Sequence, residues 1–366
     1  MSLARVNAVK LNSGMFIIGL GTATPPNRYA QSECWEALRA AKQFSQLTGR
    51  SKAILKKVLL GDNGIATRYL ALDPLDEAFD LTPDALHSRF TKHAPAMAAQ
   101  AATSALKDAS LQPDAIDAVI VSTCTGYLCP GLTSYTTERL ALRPDVLTLD
   151  LVGQGCGAAL PNLRAAEALV SSGRCGKVLS VCVEVCSAAF YLDNDPGVLI
   201  SACLFGDGAG AAVLSNKPAP GKRGIEWKTA DSILSPEDRD YLRFEYRNGM
   251  LRNILSRQVP ALAAKHAGRL LARMLANSGA SRTQISGWIL HAGGREVLLA
   301  MQERLGLTER DLRWSGAVLQ EFGNLSSPFV YFVLQAALSE NAPGGLWWIS
   351  SFGAGFSCHG ALLGVE

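Results

Sequence analysis

The chain has 366 residues, of which 48% are hydrophobic and 18% are charged, and its formal net charge is +3. This composition predicts a folded protein with a large buried core, long enough for two domains or for one fold of two similar halves. The small net charge and the absence of long Lys/Arg runs argue against nucleic acid as a partner.

Nine cysteines are scattered along the chain without a CxxC pair or a His/Cys spacing typical of metal ligands. We therefore expect free thiols in a reducing compartment, with neither a disulfide framework nor a metal site. No apolar run approaches the roughly 18 residues needed to span a bilayer. The short run GMFIIGL (14–20) is interpreted as a first strand and not as a signal segment. The expectation is a soluble, cytoplasmic protein without an integral membrane segment.

Helix and strand patterns alternate through the first part of the chain. Pro95 is predicted to open a helix of small residues, which a turn connects to the apolar strand AVIVS (118–122). DVLTLDLV (145–152) predicts the next strand, after which a glycine loop containing Cys156 leads into an apolar helix. Two further strands, within KVLSVCVEV (177–185) and FGDGAGAAVLS (205–215), complete this part.

The same order recurs after a polar stretch, SNKPAPGKRG (215–224). Pro260 predicts a helix start, WILHA a strand, EFGNLSS (321–327) a glycine loop before an apolar helix, and GLWWISS and SCHGALLGV two more strands. The repetition predicts an α/β protein with two similar sheets, divided into an N-terminal half (1–220) and a C-terminal half (221–366). Cys156 and Asn324 would then occupy equivalent loop-to-helix corners.

Three polar residues stand at the ends of predicted buried elements: Cys156, His291 and Asn324. A thiol at a helix start lies near the positive end of the helix dipole, which predicts a lowered pKa and a nucleophilic thiolate. A neutral imidazole and a carboxamide can both donate to one carbonyl oxygen, and so stabilise an enolate or a tetrahedral oxyanion. Taken singly, each residue also has an ordinary structural interpretation as a core thiol, a strand-end histidine or a helix cap.

Five segments in order, GQGCGAAL, FGDGAGAAVL, WILHAGG, EFGNLSS and FGAGF, resemble the motifs of one family. They are similar to those of type III polyketide synthases, the chalcone-synthase-like branch of the thiolase superfamily, and the similarity extends from GLGTATPPN (19–27) to the C-terminus. The resemblance implies a thiolase-like five-layered αβαβα fold from two duplicated halves, a homodimer, and no metal or organic cofactor.

The resemblance also implies a catalytic triad of Cys156, His291 and Asn324. Cys156 would take an acyl starter from coenzyme A, and malonyl-CoA would lose CO2 while His291 and Asn324 hold its thioester carbonyl. The resulting enolate would extend the chain on Cys156, and after several rounds the poly-β-keto chain would cyclise. Phe205 matches the family's aromatic gatekeeper between the CoA tunnel and the cavity.

Other positions carried over from the family concern the cavity and the CoA site. Cavity positions are expected at Cys124, Cys129, Ala189, Asn253 and Ser326, where Asn253 replaces a second gatekeeper Phe and Cys129 falls where the family reaches into the partner's cavity. CoA contacts are expected from Lys52, Lys56, Lys57, Gly293, Gly294 and Ala354. The closing SFGAG differs from the usual GFGPG at Ser351 and Ala354.

Small side chains at 124, 129 and 189 predict a roomy or elongated pocket. That pocket favours medium or long acyl starters, as in microbial alkylresorcinol and alkylpyrone synthases rather than plant chalcone synthases. Two other functions are compatible with a Cys-His-Asn set on this fold. One is a β-ketoacyl synthase III-type enzyme that initiates fatty acid synthesis, and the other is a non-catalytic thiolase-like scaffold subunit.

Overall fold

The computed structural model describes residues 14–366. The strands of this part of the chain are β1 (Met15–Ala23), β2 (Arg28–Ala30), β3 (Thr67–Tyr69), β4 (Ala118–Thr123), β5 (Leu147–Val152), β6 (Lys177–Glu184), β7 (Gly208–Ser215), β8 (Ile225–Leu234), β9 (Leu242–Arg247), β10 (Met250–Leu255), β11 (Ile285–Leu290), β12 (Gly345–Gly353) and β13 (Ser357–Val365).

The α-helices are α1 (Gln31–Ala40), α2 (Lys42–Ser45), α3 (Gly49–Leu60), α4 (Pro83–Asp108), α5 (Leu132–Leu140), α6 (Ala159–Ser171), α7 (Pro196–Leu204), α8 (Val259–Ser278), α9 (Arg295–Leu305), α10 (Glu309–Phe322) and α11 (Phe329–Ser339). Short 3₁₀ turns occur at Leu75–Phe79, Pro113–Ala115, Gly155–Gly157, Cys186–Ala189, Pro236–Tyr241 and Arg282–Gln284.

The duplicated order predicted from the sequence is confirmed by the strand pairing. The sheet runs β11-β12-β13-β8-β1-β7-β6-β4-β5. In the first half β4 is parallel to β6, β6 antiparallel to β7 and β7 antiparallel to β1. In the second half β11, β12, β13 and β8 repeat these relations in the same sequence. The two half-sheets join where β1 meets β8, over only two antiparallel residue pairs. Each half therefore supplies one half-sheet to the five-layered α/β fold.

Two helices form the middle layer and so position the site. Both α6 and α11 contact strands of the two half-sheets, whereas α4 covers the outer face of the first half and α8 that of the second. Each middle helix follows a glycine-containing corner, one with Cys156 and the other with Asn324. The fold therefore brings both corners to the centre of the molecule. The predicted boundary between residues 220 and 221 falls in the connection between β7 and β8.

One helix start differs from the sequence prediction. Pro95 lies inside α4, which begins at Pro83 with the Thr82 side chain accepting a hydrogen bond from the Ala85 N–H. The ring of a proline removes one helical hydrogen bond but does not end a helix whose buried face is otherwise continuous. The predicted start at Pro260 is confirmed, because α8 begins at Val259 with this proline in its first turn.

Within residues 14–366, no helix is long and apolar enough to cross a membrane. The same residues include no group of three or more His, Cys, Asp or Glu side chains that could hold a metal ion.

Glycines on β1 let α4 approach the sheet closely. A Cβ on Gly21 would lie 2.3 Å from the carbonyl oxygen of Ala101 and 2.4 Å from the backbone nitrogen of Ala105, and Gly19 faces Ala105 in the same way. Because the atoms nearest to the added Cβ belong to the helix backbone, they cannot move away as the end of a flexible side chain could.

We predict that Gly21→Ala lowers the free energy of unfolding by about 1–3 kcal/mol or more, because the added methyl group forces α4 away from β1. Thermal and urea unfolding of the purified variant would measure this. Gly49→Ala is the matched control, since no atom lies within 4 Å of its added Cβ at the start of α3. Equal stability of the two variants would contradict the close-packing argument.

Candidate active site

The nucleophile candidate lies in a tight turn between β5 and α6. Cys156 is the middle residue of the 3₁₀ turn Gly155–Gly157 and is buried. The backbone φ is +84° at Gly153 and +56° at Gly155, a left-handed conformation that glycine adopts without strain. These glycines are therefore required by the turn, as the sequence suggested.

The end of β12 in the second half lies directly against this turn. A Cβ on Gly353 would lie 2.4 Å from the carbonyl oxygen of Gln154 and 2.4 Å from the Gly157 nitrogen, so only a glycine permits the contact. The Ser351 hydroxyl donates to the Gly157 carbonyl oxygen over 3.1 Å. Ser351, one of the departures from the family motif, thus helps to hold the turn that contains Cys156.

His291 directly follows β11 and is almost fully buried. Its backbone N–H donates to the Ser350 carbonyl oxygen over 2.9 Å, and its ring packs edge-on against Phe329 and Phe352 at centroid distances of 5.3 and 5.0 Å. Neither ring nitrogen has a hydrogen-bond partner within residues 14–366. A buried imidazole with both nitrogens free is available to a substrate.

Asn324 stands in the corner before α11. Its side-chain nitrogen donates to the Gly293 carbonyl oxygen over 3.1 Å, and its side-chain oxygen accepts from the Ser326 N–H over 2.8 Å. The backbone of Asn324 pairs with the Phe205 segment, since its carbonyl oxygen accepts from the Gly206 N–H over 3.0 Å. The predicted gatekeeper and the predicted triad asparagine are thereby held by one backbone contact.

Burial is the main influence on the pKa values of Cys156 and His291. It raises the pKa of the Cys156 thiol to about 12, and the hydrogen bond from Ser326 opposes this only in part. Burial also lowers the pKa of His291 to about 3. The expected lowering of the Cys156 pKa is therefore wrong for the substrate-free protein. The loss of hydration outweighs the helix start, because Cys156 precedes the first residue of α6 by three positions.

Two cavities meet at Cys156. An outer tunnel of about 870 Å³ reaches the surface and is lined by His291, Asn324 and apolar residues of α7, α8 and α9. An inner cavity of about 40 Å³ lies on the other side. Both are lined by Cys156, Phe205 and Leu242, so Phe205 stands at their boundary.

The inner cavity is smaller than the sequence predicted. Cys124, Ala189, Asn253 and Ser326 do line it, together with Ala354, which had been expected at the CoA site. Because one water needs about 10–15 Å³ of such space, the cavity has room for about three. The prediction of a roomy pocket is wrong because large side chains from elsewhere fill the space, namely Phe190, Tyr191 and Phe244.

Phe244 and Asn253 face each other across the β9–β10 hairpin. Phe244 therefore supplies, from the opposite strand, an aromatic ring beside the position where the sequence has Asn253. An Asn-Gly turn at 248–249, with φ of +53° and +76°, joins the two strands. That dipeptide is a strong hairpin signal, and its register could have revealed Phe244 from the sequence.

A further small apolar pocket adjoins the inner cavity. It measures about 50 Å³, lies among residues of α1, α3 and α7, and shares Phe190 and Ala202 with the inner cavity. Sequence reasoning missed both of these junction residues, since neither carries a motif.

The expected CoA residues separate into two groups. Lys57, Gly293 and Gly294 line the outer tunnel, whereas Lys52 and Lys56 do not. Lys52 instead lies over the ring of Phe44, 5.2 Å from its centroid. The tunnel wall also includes Arg257 and Arg295, which the sequence analysis missed because they belong to no recognised motif. Arg295 forms an ion pair with Asp62, while Lys57 and Arg257 form none within residues 14–366.

Cys124 and Cys129 lie in different environments. The Cys124 thiol contacts the buried carboxylate of Glu184 at 3.3 Å, and burial together with Glu184 raises its pKa well above the usual range. Cys129 is exposed and does not line the inner cavity of its own chain.

Comparisons with solved structures identify the same fold. PKS-I from the brown alga Ectocarpus siliculosus superposes with a TM-score of 0.88 at 26% identity, covering 97% of this chain and 99% of that one. A fungal type III polyketide synthase, ORAS, gives a TM-score of 0.83 at 25% identity, covering 96% and 100%. 1,3,6,8-Tetrahydroxynaphthalene synthase from Streptomyces coelicolor gives 0.84 at 22% identity, covering 96% and 99%, which supports the fold alone.

Comparisons of sequence identify the family. The chain is 30% identical to 3,5-dihydroxyphenylacetyl-CoA synthase from Streptomyces toyocaensis over 361 residues, covering 95% of this chain and 89% of that protein. It is 29% identical to 1,3,6,8-tetrahydroxynaphthalene synthase from Streptomyces peucetius subsp. caesius over 359 residues, covering 96% and 94%.

Two family models cover most of the chain. Residues 22–227 match the FAE1/type III polyketide synthase-like model, and residues 227–362 match the C-terminal domain of chalcone and stilbene synthases. These matches favour the polyketide branch over a fatty acid initiation enzyme and over a scaffold subunit. The chain belongs to the type III polyketide synthases, malonyl-CoA-dependent condensing enzymes of the acyltransferase class.

Proposed function

We propose that this polyketide synthase carries its growing chain on Cys156 and extends it with malonyl-CoA held by His291 and Asn324. The observation that carries the proposal is the meeting of two cavities at Cys156. The tunnel side presents His291 and Asn324, and the inner cavity adjoins Cys156 as a space for the acyl group. CoA thioesters are the proposed substrates, with no further cofactor.

Loading of Cys156 requires removal of its proton. A thiolate or an imidazolium formed alone would be an isolated buried charge, whereas proton transfer from the thiol to a His291 ring nitrogen creates both charges as a pair. Their attraction offsets part of the burial cost of each. The thiolate then attacks the acyl-CoA carbonyl, and the CoA thiolate leaves with the proton from His291.

Extension uses the same imidazole in its neutral form. The low pKa of His291 keeps the ring uncharged near pH 7, so that one ring nitrogen can donate its N–H to the malonyl thioester oxygen. Asn324 supplies the second donor from the opposite corner. As the C–C bond to CO2 breaks, the electron pair forms an enolate whose oxygen these donors stabilise. The enolate carbon then attacks the acyl group on Cys156 and releases its sulfur as a thiolate, which leaves the extended chain on CoA. The thiolate takes up this chain again with CoA as the leaving group, and the next extension can begin.

Lys57 and Arg257 are proposed to bind the CoA phosphates. Both are exposed at the tunnel, and neither is neutralised by an ion pair within the described residues. Apolar tunnel residues such as Val259 and Phe352 would contact the pantetheine arm.

We predict that two substitutions each impair a different step of the reaction. Cys156→Ala should abolish acyl-enzyme formation and product but retain malonyl-CoA decarboxylation, because the enolate donors remain. Asn324→Ala should retain acylation of Cys156 and reduce decarboxylation by about a hundredfold to a thousandfold, the usual effect of losing one oxyanion donor. Intact-protein mass spectrometry and release of labelled CO2 measure the two steps.

Cys358→Ala is the control for the first variant, since Cys358 is also buried but lines neither cavity. The assignment fails if the acyl group is found on another cysteine, or if Asn324→Ala blocks acylation while decarboxylating normally.

For the product we propose a compact polyhydroxylated aromatic compound built from a short starter. The small inner cavity supports this, and the names of two relatives, 3,5-dihydroxyphenylacetyl-CoA synthase and 1,3,6,8-tetrahydroxynaphthalene synthase, describe products without a long alkyl chain. The alkylresorcinol or alkylpyrone alternative is favoured by one observation, the apolar pocket beyond Phe190 and Ala202.

Starter length separates these products. We predict that kcat/KM is highest for short acyl-CoAs and falls as the starter lengthens, because the inner cavity is small and the rings of Phe190 and Phe244 line it. If the apolar pocket receives the chain, kcat/KM should instead rise about fourfold per methylene, equivalent to about 0.8 kcal/mol of burial.

Ala202→Leu, which narrows the junction between the inner cavity and the apolar pocket, is the matched variant. It should leave turnover of short starters unchanged. A selective loss of decanoyl-CoA turnover in this variant would establish the alkyl alternative.

We further propose a cytoplasmic homodimer that forms through β5. This strand is the last in the sheet, so one edge has no partner within the described residues, and its side chains Leu149 and Val152 are 38% and 56% exposed. Tyr127, in the loop that carries Cys129, is 67% exposed. An uncovered strand with apolar side chains is a typical association surface.

We predict that Val152→Arg converts the dimer to a monomer, because a second copy cannot bury the guanidinium at the edge of β5. Size-exclusion chromatography with light scattering gives the mass. Leu234→Arg is the control, since Leu234 is 66% exposed and lies on β8. A wild-type protein that is monomeric at micromolar concentration would contradict the proposal.

A further inference from the structure

The hydroxyl of Ser326 touches the nucleophile's sulfur. Its Oγ lies 3.3 Å from Cys156 Sγ, and the side chain is almost fully buried. Within residues 14–366, Ser326 is the only side chain that hydrogen-bonds this sulfur, since the ring nitrogens of His291 have no partner there. The side chain that contacts the Cys156 sulfur is therefore a hydroxyl from the C-terminal half of the fold.

The backbone fixes the direction of this hydroxyl. Ser326 has φ of +59°, a left-handed conformation that residues other than glycine, asparagine and aspartate rarely adopt. Two hydrogen bonds hold it there: its N–H donates to the Asn324 side-chain oxygen over 2.8 Å, and its carbonyl oxygen accepts from the Phe329 N–H over 3.2 Å. Strained backbone maintained by specific contacts at a reacting atom indicates that the side chain's position matters.

The surrounding network leaves the Ser326 proton free for the sulfur. The nearest competing acceptor is Glu184 Oε1, 3.4 Å from Ser326 Oγ. That oxygen already accepts from the Ser327 hydroxyl over 2.7 Å and contacts the Cys124 thiol at 3.3 Å. Two closer donors thus occupy the carboxylate oxygen, and the Ser326 hydroxyl can donate to Cys156.

We propose that Ser326 is a further catalytic residue, whose hydroxyl donates a hydrogen bond to the Cys156 sulfur and stabilises the thiolate that attacks the acyl-CoA. This rests on the proposed role of Cys156 as nucleophile. The Cys156 proton moves to a His291 ring nitrogen, while Ser326 keeps its own proton throughout. Hydrogen bonds to a charged partner are stronger than those to a neutral one, so the contact strengthens as the S–H bond breaks.

The contact also changes with each step of the cycle. A thioester sulfur carries no charge and is a poor acceptor, so the hydrogen bond from the Ser326 hydroxyl weakens when Cys156 is acylated. When the enolate attack frees the sulfur again, the hydrogen bond strengthens. Ser326 therefore favours the states in which Cys156 is a leaving group or a nucleophile.

Alkylation of Cys156 by iodoacetamide tests the proposal without any CoA substrate. Ser326→Ala should lower the alkylation rate constant about tenfold at fixed pH and move its pH dependence upward by about one unit, because the thiolate loses its donor. Peptide mass spectrometry assigns the modification to Cys156.

Two further variants make the result decisive. Ser327→Ala removes a neighbouring hydroxyl from the same Glu184 network but does not touch the sulfur, so its alkylation rate should match the wild type within about twofold. Ser326→Gly suits the left-handed backbone and should reproduce the tenfold loss in a stable protein. Wild-type alkylation in Ser326→Gly, or an equal loss in Ser327→Ala, would overturn the role of Ser326. Failure of acyl-CoA to label Cys156 would instead overturn the proposed nucleophile.

Discussion

The site depends on a backbone contact between the two halves, at which the end of β12 lies against the turn that carries Cys156. Gly353 permits this contact because a side chain there would overlap the backbone of Gln154 and Gly157. Ser351 then ties the same strand to the turn. Cys156 comes from the first half, whereas His291 and Asn324 come from the second, so their mutual distances depend on how the halves are packed. The middle helices α6 and α11 each contact strands of both halves and so help to fix that packing.

Burial of the Cys156 and His291 side chains disfavours the charged form of each. The pKa shifts of Cys156 and His291 go in opposite directions for the same physical reason, namely that each charged form loses hydration. Without substrate, burial therefore favours the uncharged thiol and the uncharged imidazole. In the mechanism we propose, charge is created next to compensating groups, namely the His291 imidazole, the Asn324 amide and the Ser326 hydroxyl.

Much of the fold could be predicted from the sequence, because buried strands such as β4 and β11 are short apolar runs and the glycine corners before α6 and α11 are local signals. The start of α4 was mispredicted because Pro95 is a local signal that the packing of a 26-residue helix overrides. The volume of the inner cavity was mispredicted for a different reason. Small residues at 124 and 189 are visible in the sequence, but the rings of Phe190, Tyr191 and Phe244 enter the same space from three-dimensional packing.

The two halves are alike except at one edge of the sheet, and this difference connects dimer formation with the active site. Within the described residues, the second half has no strand equivalent to β5 beyond β11. The half with the additional strand is also the half that contains Cys156, and β5 ends at Val152, only four positions before this residue. A second copy that covers β5 would therefore restrain the chain segment that leads directly into the turn Gly155–Gly157. Association would then reduce the motion of the Cys156 sulfur. Each subunit would in this way help to hold the active site of its partner in position.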